Sequence, residues 1–171
     1  MGGIARVSEM VVLGVTLRQD LCMSSHVQSL LTKGNQRLYA LKILKAHGLS
    51  GQCLFNICRA TLISGLIYAS PAWWGFCSVE ERDKLQAIVR KAVRWGFYDS
   101  AQSIDSLCEA ADTNLFSSVL QDPRHVLHQL LPLETSHTYS LRKRPHNRVL
   151  AYNNVTSSKN FIHRMLFKDI Y

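Results

Sequence analysis

The segment from residue 50 to about residue 69 restricts the fold more than any other part of the chain. It has helical character, but it is apolar almost all round except for one edge formed by Gln52, Asn56 and Arg59. A helix of this kind lies either at the centre of a protein core or across a membrane. Because the amide of Asn56 and the charge of Arg59 are costly in lipid, we expect a core helix, and we expect Pro71 to end it.

An amphipathic helix precedes this segment. Ser24 or Ser25 can cap its start, and Gly48 can take the left-handed conformation that often closes a helix. Its apolar residues and one glycine fall within a sector of about 100° at 3.6 residues per turn. They are Val27, Leu30, Leu31, Gly34, Leu38 and Leu41.

A third helix, after the apolar segment, is the most clearly two-faced element of the chain. Ser78 and Glu81 have the spacing of a capping box, in which a hydroxyl and a carboxylate satisfy two free amide donors. The helix should run to about Trp95. Its apolar face holds Leu85, Ile88, Val89 and Ala92, and its basic face holds Lys84, Arg90, Lys91 and Arg94. Such a basic face can follow phosphates, or it can be ordinary solvated surface.

The two ends of the chain have other patterns. Residues 11–17 form a short β-type run with Gly14 inside it, which predicts a strand or a hairpin. Short helices are expected at residues 103–110, 114–120 and 124–131, bounded by Asp112, Pro123 and Pro132. Beyond Pro132 the composition predicts mostly irregular structure until an apolar stretch at residues 161–167.

Charge is distributed unevenly over the 171 residues, whose formal net charge is +8. Residues 21–79 contain five Lys or Arg and no carboxylate, residues 80–134 carry a net charge of −3, and residues 135–171 carry +6. Basic surfaces attract polyanions, so nucleic acid is the leading class of partner. The tail cluster of Arg142, Lys143 and Arg144 could bind phosphates, act as a weak nuclear import signal, or keep the tail soluble.

The residues offer no catalytic constellation. No two aspartates are adjacent, and neither a Gly-rich phosphate loop nor a Gly-x-Ser-x-Gly elbow occurs. The pairs His125 with His128 and Cys22 with His26 have ligand spacing, but each lacks a second pair, so no metal site is expected. Five cysteines without a close pair favour free thiols in a reducing compartment. Without a secretory leader, we expect an intracellular protein, cytoplasmic or nuclear, that is not secreted.

Several blocks of the chain resemble a known family when they are read in order. Residues 12–17 (VLGVTL), 35–41 (NQRLYAL) and 66–73 (LIYASPAW) resemble successive blocks of reverse transcriptases from non-long-terminal-repeat (non-LTR) retrotransposons. Residues 107–112 (LCEAAD), 125–132 (HVLHQLLP) and 160–171 (NFIHRMLFKDIY) resemble the C-terminal part of one such group. The order and spacing agree over nearly the whole chain.

The resemblance implies a fold class and a domain order. The expected fold is mainly α, with an N-terminal β strand or hairpin, a thumb-like helical bundle and a partly irregular basic tail. Residues 1–22 would be a primer-grip-like β element from the edge of the palm domain, and residues 23–98 the thumb-like bundle. Residues 99–132 would be a C-terminal extension of short helices, and residues 133–171 the tail with its short apolar end.

The resemblance also implies an activity that this chain should lack by itself. The parent enzyme is an RNA-directed DNA polymerase of a transposable element. Its fingers and palm, with the Tyr-x-Asp-Asp motif that holds Mg²⁺, should precede Arg6 and are absent from this sequence, as is its endonuclease. We therefore expect a truncated fragment that is no enzyme on its own and has no cofactor of its own. The alternatives are a repurposed non-catalytic nucleic-acid-binding module and a non-functional pseudogene product.

The expected partners are a template–primer duplex or RNA, together with the missing palm domain. We expect no membrane and no small-molecule substrate. Gly14, which has no Cβ, would let the backbone approach the primer closely. The candidate nucleic-acid-binding residues are Leu13, Gly14, Val15, Lys33, Arg37, Arg90, Lys91, Arg94, Arg142, Lys143 and Arg144.

Overall fold

Helices make up most of the fold and a short antiparallel hairpin precedes them, which confirms the predicted fold class. The computed structural model describes residues 6–99, 102–135, 146–150 and 155–168. The chain divides into two compact units, Met1–Cys108 and Glu109–Tyr171. The tail cluster at residues 142–144 lies outside the described residues.

The hairpin consists of β1 (Glu9–Val12) and β2 (Val15–Arg18), paired from Val12 opposite Val15 to Glu9 opposite Arg18. Leu13 and Gly14 form the two-residue turn, with φ angles of 46° and 83°. Positive φ at both turn positions matches the natural twist of the strands. Gly14 therefore lies in the turn of a hairpin and not inside a strand. Leu13 has a Cβ, so its left-handed conformation costs about 1 kcal/mol.

Helix α1 (Ser24–Ala46) ends as predicted but begins differently. Gly48 has a φ of 92°. Its N–H donates to Lys45 O, and the N–H of Leu49 donates to Leu44 O, the paired bonds of a left-handed helix end. At the start, neither serine caps the helix, because the N-cap position is Met23. The Ser24 hydroxyl instead donates to Glu81 Oε1 at 2.9 Å.

The apolar segment is one helical run with a wider turn in its middle. It comprises α2 (Gly51–Cys58), a π-helical segment (Arg59–Ile63) and α3 (Ser64–Leu66). The polar edge is exposed as predicted, and five side chains lie in the core. These are Leu54, Cys58, Leu62, Ile63 and Leu66. Residues Gly51–Phe76 have a mean hydropathy of 1.4, and by length and composition alone they could also cross a membrane. Core helices of soluble proteins reach the same length and hydropathy.

The prediction that Pro71 ends this run is wrong. The helix ends at Leu66, and Ala69, with a φ of 52°, reverses the chain. Pro71 then lies in the first turn of α4 (Ser70–Trp73). N–H groups in the first turn of a helix have no acceptor within the helix, so the lack of an N–H in proline costs no hydrogen bond there. A 3₁₀ turn (Trp74–Phe76) follows, and Trp73 and Trp74 are buried in the core.

Helix α5 (Val79–Arg94) has the predicted cap and the predicted apolar face. The Ser78 hydroxyl accepts from Glu81 N–H at 3.3 Å, and Glu81 Oε2 accepts from Ser78 N–H at 2.8 Å. Although partial burial opposes it, hydrogen bonds from Ser78 and Ser24 lower the pKa of Glu81. The four apolar side chains predicted from the sequence are buried. They pack chiefly on α1. Ile88 lies so close to Gly34 of α1 that a Cβ added to this glycine would be only 3.3 Å from Ile88 Cγ2.

The last helices differ from the prediction. The two short helices expected at residues 103–110 and 114–120 are a single helix, α6 (Ile104–Gln121). Asp112 does not interrupt it, because this carboxylate is buried and pairs with Arg164 at 2.6 Å. The third expected helix, at residues 124–131, is reduced to a 3₁₀ turn (His128–Leu130). Two further helices follow, α7 (Val155–Ser158) and α8 (Phe161–Phe167).

The five cysteines are free thiols. Cys58, Cys77 and Cys108 are buried, Cys22 is half-buried and Cys53 is exposed. Burial raises the pKa of Cys58 to about 11 and that of Cys77 to about 12. Both thiols are therefore protonated and unreactive at neutral pH.

Candidate nucleic-acid interface

A groove of about 630 Å³ opens beside α1 in the first unit, and we call it the α1 groove. One wall is a stripe along α1 formed by His26, Leu30, Lys33 and Arg37. Gly14, at the hairpin turn, lies at the groove as well. Residues spaced at i, i+4, i+7 and i+11 share one face of a helix, so the periodicity of α1 places these four side chains in line.

The opposite wall comes from the apolar segment. Ala60 and Thr61 belong to the π-helical segment, Ser64 and Gly65 to α3, and Tyr68 follows the end of that helix. Short π-helical stretches are frequent at functional sites, because the wider turn shifts the side chains that follow it. Here the wider turn lies directly against the groove.

Two cations, Lys33 and Arg37, face the groove from one side. They are four residues apart on α1, a spacing at which side chains are neighbours and like charges repel. Residues 21–79, which supply all of the wall except Gly14, contain no carboxylate. In the described part of the chain, no ion pair joins either cation to a carboxylate. The groove is therefore a region of positive potential.

Gly65 makes room for the Arg37 side chain. A methyl group at Gly65 would overlap the guanidinium of Arg37, so this side chain lies directly over the α3 backbone. Arg37 is half-buried, whereas Lys33 is exposed. The Arg37 guanidinium is thus positioned along the wall of the groove by the absence of a side chain opposite it.

His26 is the buried polar group of the groove, with 3% of its surface exposed. Its Nδ1 accepts a hydrogen bond from Thr16 N–H at 3.3 Å. Burial, and secondly the positive charge of Lys33, lower the pKa of His26 from its ordinary value of 6.5, so the ring is neutral at pH 7. Because Nδ1 accepts, the single ring proton must be on Nε2. That Nε2 is buried and has no hydrogen-bond partner among the described residues.

The hydroxyl groups of the groove each donate a hydrogen bond to a backbone carbonyl. Thr61 Oγ1 donates to Ile57 O at 2.6 Å, and the Ser64 hydroxyl donates to Ala60 O. The Tyr68 hydroxyl donates to Leu13 O at 3.3 Å, which ties the hairpin turn to the groove wall. These oxygens can therefore accept hydrogen bonds from a ligand, whereas the side-chain donors are His26, Lys33 and Arg37.

The residues predicted from the sequence lie on more than one surface. Gly14, Lys33 and Arg37 meet at the α1 groove. Leu13 is 85% exposed at the tip of the hairpin, and Val15 is buried in the core, so its side chain cannot touch a ligand.

On α5, Arg90 and Arg94 are exposed and Lys91 is half-buried. None of these three lines the groove. They lie on a second basic surface, which we call the α5 face.

Sequence reasoning missed His26, Gly65 and Tyr68 as groove residues. His26 was considered only as a metal ligand with Cys22. Within the described residues, no group of three or more His, Cys, Asp or Glu side chains could hold a metal ion. The stripe spacing from His26 to Arg37, inside a stretch without carboxylates, is the signal that would have found His26.

No protein-family model matches the chain, and neither a curated protein nor a solved structure is similar to it.

Proposed function

We propose that this chain is the thumb region of a non-LTR retrotransposon reverse transcriptase, which binds the phosphate backbone of a template–primer duplex and does not polymerise DNA by itself. One observation carries the proposal. Three separate blocks that resemble this family, residues 12–17, 35–41 and 66–73, each contribute to the α1 groove. They supply Gly14, Arg37 and Tyr68 respectively.

The chemistry of the groove supports a phosphate ligand. Lys and Arg side chains neutralise phosphates, and they do so without reading base sequence. The turn backbone at Gly14 has no Cβ, so a strand of nucleic acid can approach it closely. Tyr68 is 57% exposed beside this turn and offers an aromatic face to a base.

The α5 face supports a second contact with the same class of partner. Arg90 and Arg94 are one helical turn apart and exposed, so both can reach phosphates of one backbone. Two basic surfaces on one unit suit a ligand with many phosphates, and a duplex is such a ligand.

A second candidate is a non-catalytic nucleic-acid-binding module that acts without any polymerase domain. The core of the first unit favours it, because Trp73, Leu85 and Ile104 are fully buried by this chain alone. The two candidates share the binding surfaces, and they differ in whether a separately supplied palm domain is bound.

The experiment is a salt titration of binding to a labelled RNA–DNA hybrid with the full chain. Changing Arg90, Lys91 and Arg94 together to Gln should weaken binding and flatten the dependence of log K on log salt by up to about 0.9 for each phosphate that the variant no longer neutralises. The double variant Lys33→Gln/Arg37→Gln should do the same through the groove. Lys42→Gln, an exposed α1 change outside the groove, is the matched control.

Unchanged affinity and salt slope in both basic-surface variants would refute the proposal. The chain should also incorporate no nucleotide on a primed RNA template with Mg²⁺, and extension by homogeneous protein would refute the non-catalytic part. Binding to a purified palm domain of this family would favour the thumb over the free module.

A further inference from the structure

One residue that lines the α1 groove, His26, carries a buried hydrogen-bond donor, and its ring lies edge-on to Trp73 with the ring centroids 5.0 Å apart. His26 Nε2–H is without a partner among the described residues, and a buried donor left unpaired is costly. The ring cannot turn over to relieve this without losing the bond from Thr16 N–H to Nδ1. A ligand acceptor in the groove would satisfy the donor.

Charge in the groove favours an anionic acceptor. Lys33 lies near enough to lower the pKa of His26, a second cation follows it one turn later on α1, and residues 21–79 carry no carboxylate. Two like charges on one helix face repel each other, and an anion bound between them removes that repulsion. The neutral His26 ring adds a donor without adding a third positive charge.

We propose that the α1 groove binds one phosphate monoester, with His26 Nε2–H, Lys33 and Arg37 as its donors. A monoester has three terminal oxygens and close to two negative charges at neutral pH, which matches three donors and two cations. A phosphodiester within a strand has two free oxygens and one charge. The site therefore discriminates a terminal phosphate, or a free nucleotide, from the internal backbone.

The size and the remaining polar atoms of the groove fit a nucleotide. Its volume of about 630 Å³ is within the usual range for sites that hold one small ligand. Thr61 and Ser64 present oxygens whose protons are already donated to helix carbonyls, so these oxygens can accept from sugar hydroxyls or base amines. This site adds to backbone binding, because Lys33 and Arg37 can neutralise phosphates of either ligand, whereas the third donor, His26, is matched only by a terminal phosphate group.

The test uses the full wild-type chain with ¹⁵N-labelled histidine, so that NMR reports the Nε2 of His26 directly. Three probes are titrated separately: inorganic phosphate, a 5′-phosphorylated single-stranded oligonucleotide, and the same oligonucleotide without the terminal phosphate. We expect the first two to shift the His26 Nε2 resonance and the third to leave it in place. Lys33→Gln and Arg37→Gln should each weaken phosphate binding about tenfold or more, because each removes charge-assisted hydrogen bonds. Lys42→Gln should bind like wild type.

The resonance that disappears in His26→Gln is that of His26 Nε2. If this variant fails to fold, the phosphate affinities of Lys33→Gln and Arg37→Gln still test the site. Equal shifts with the phosphorylated and unphosphorylated oligonucleotides would overturn the monoester site. So would an unmoved His26 resonance with all three probes. If in that case the oligonucleotide still binds through the α5 face, the proposed function stands without this site. Binding of the first two probes in the groove of a chain that does not bind the RNA–DNA hybrid supports the site and refutes the proposed function.

Discussion

Gly65→Ala should change stability and phosphate binding in opposite directions. Gly65 lies in α3, and its backbone is not among the positive-φ positions, so alanine fits the local conformation. Alanine has a higher helix propensity than glycine, and at this position, one residue before the end of the helix, it should stabilise the helix by less than about 1 kcal/mol. The new methyl group would overlap the Arg37 guanidinium, but this is the far end of a flexible side chain and can rotate away. The free energy of unfolding should therefore stay level or rise by up to about 1 kcal/mol.

Binding in the α1 groove should weaken in the same variant. When the methyl group displaces the guanidinium, its charge-assisted hydrogen bonds to phosphate are broken or lengthened. Such a change is worth about 1.5 kcal/mol or more, which is roughly a tenfold weaker affinity. Gly65→Ala should therefore approach the affinity of Arg37→Gln, and the double variant should bind no more weakly than Arg37→Gln alone.

Urea unfolding and phosphate titration on the same preparations measure the two effects. A Gly65→Ala protein that is at least as stable as wild type and binds phosphate equally well would refute the placement of Arg37 as a ligand over α3. A double variant in which the two reductions in affinity add would show that Gly65 acts on binding by some route other than Arg37.

Three further predictions concern the core, the pH dependence and the hairpin. Leu85→Ala should lower the free energy of unfolding by about 2–5 kcal/mol, whereas Val93→Ala, at an exposed α5 position, should change it by less than about 0.5 kcal/mol, as urea unfolding can measure. Stability should fall as pH drops below 6.5, where the unfolded His26 ring takes up a proton that the buried ring resists. Urea unfolding at several pH values measures how steeply the free energy of unfolding falls as the pH drops. His26→Gln should make this dependence shallower by up to about 1.4 kcal/mol per pH unit. The exposed β1 strand should make the chain associate at high concentration, because unpaired strand edges promote association, and Val11→Lys should weaken that association in sedimentation experiments.

Features set by neighbouring residues could be predicted from the sequence. The capping box at Ser78 and Glu81 and the left-handed end at Gly48 depend on atoms a few residues apart, and both are present. The apolar faces of α1 and α5 follow from helical periodicity. The α5 face is buried as expected, and so is the α1 face apart from Leu31, which is half-buried.

Features set by distant partners could not be predicted. Asp112 was interpreted as a boundary between two short helices. The partner that stabilises it inside α6 is Arg164, which lies 52 residues further along the chain. Pro71 was interpreted as a helix end, although a proline is equally suited to the first turn of a new helix. The reversal at Ala69, which no local pattern indicates, determines which of the two roles applies.

The α1 groove combines both kinds of feature. The stripe from His26 to Arg37 follows from helix spacing, so its four positions were available from the sequence. Their chemistry was not, because it depends on contacts with other elements. A backbone N–H ten residues away, at Thr16, decides which nitrogen of His26 carries the proton. Likewise, the hydroxyls of Thr61 and Ser64 are acceptors only because carbonyls one turn earlier have taken their protons. A binding site is therefore defined less by which polar residues are present than by which of their donors the fold leaves unused.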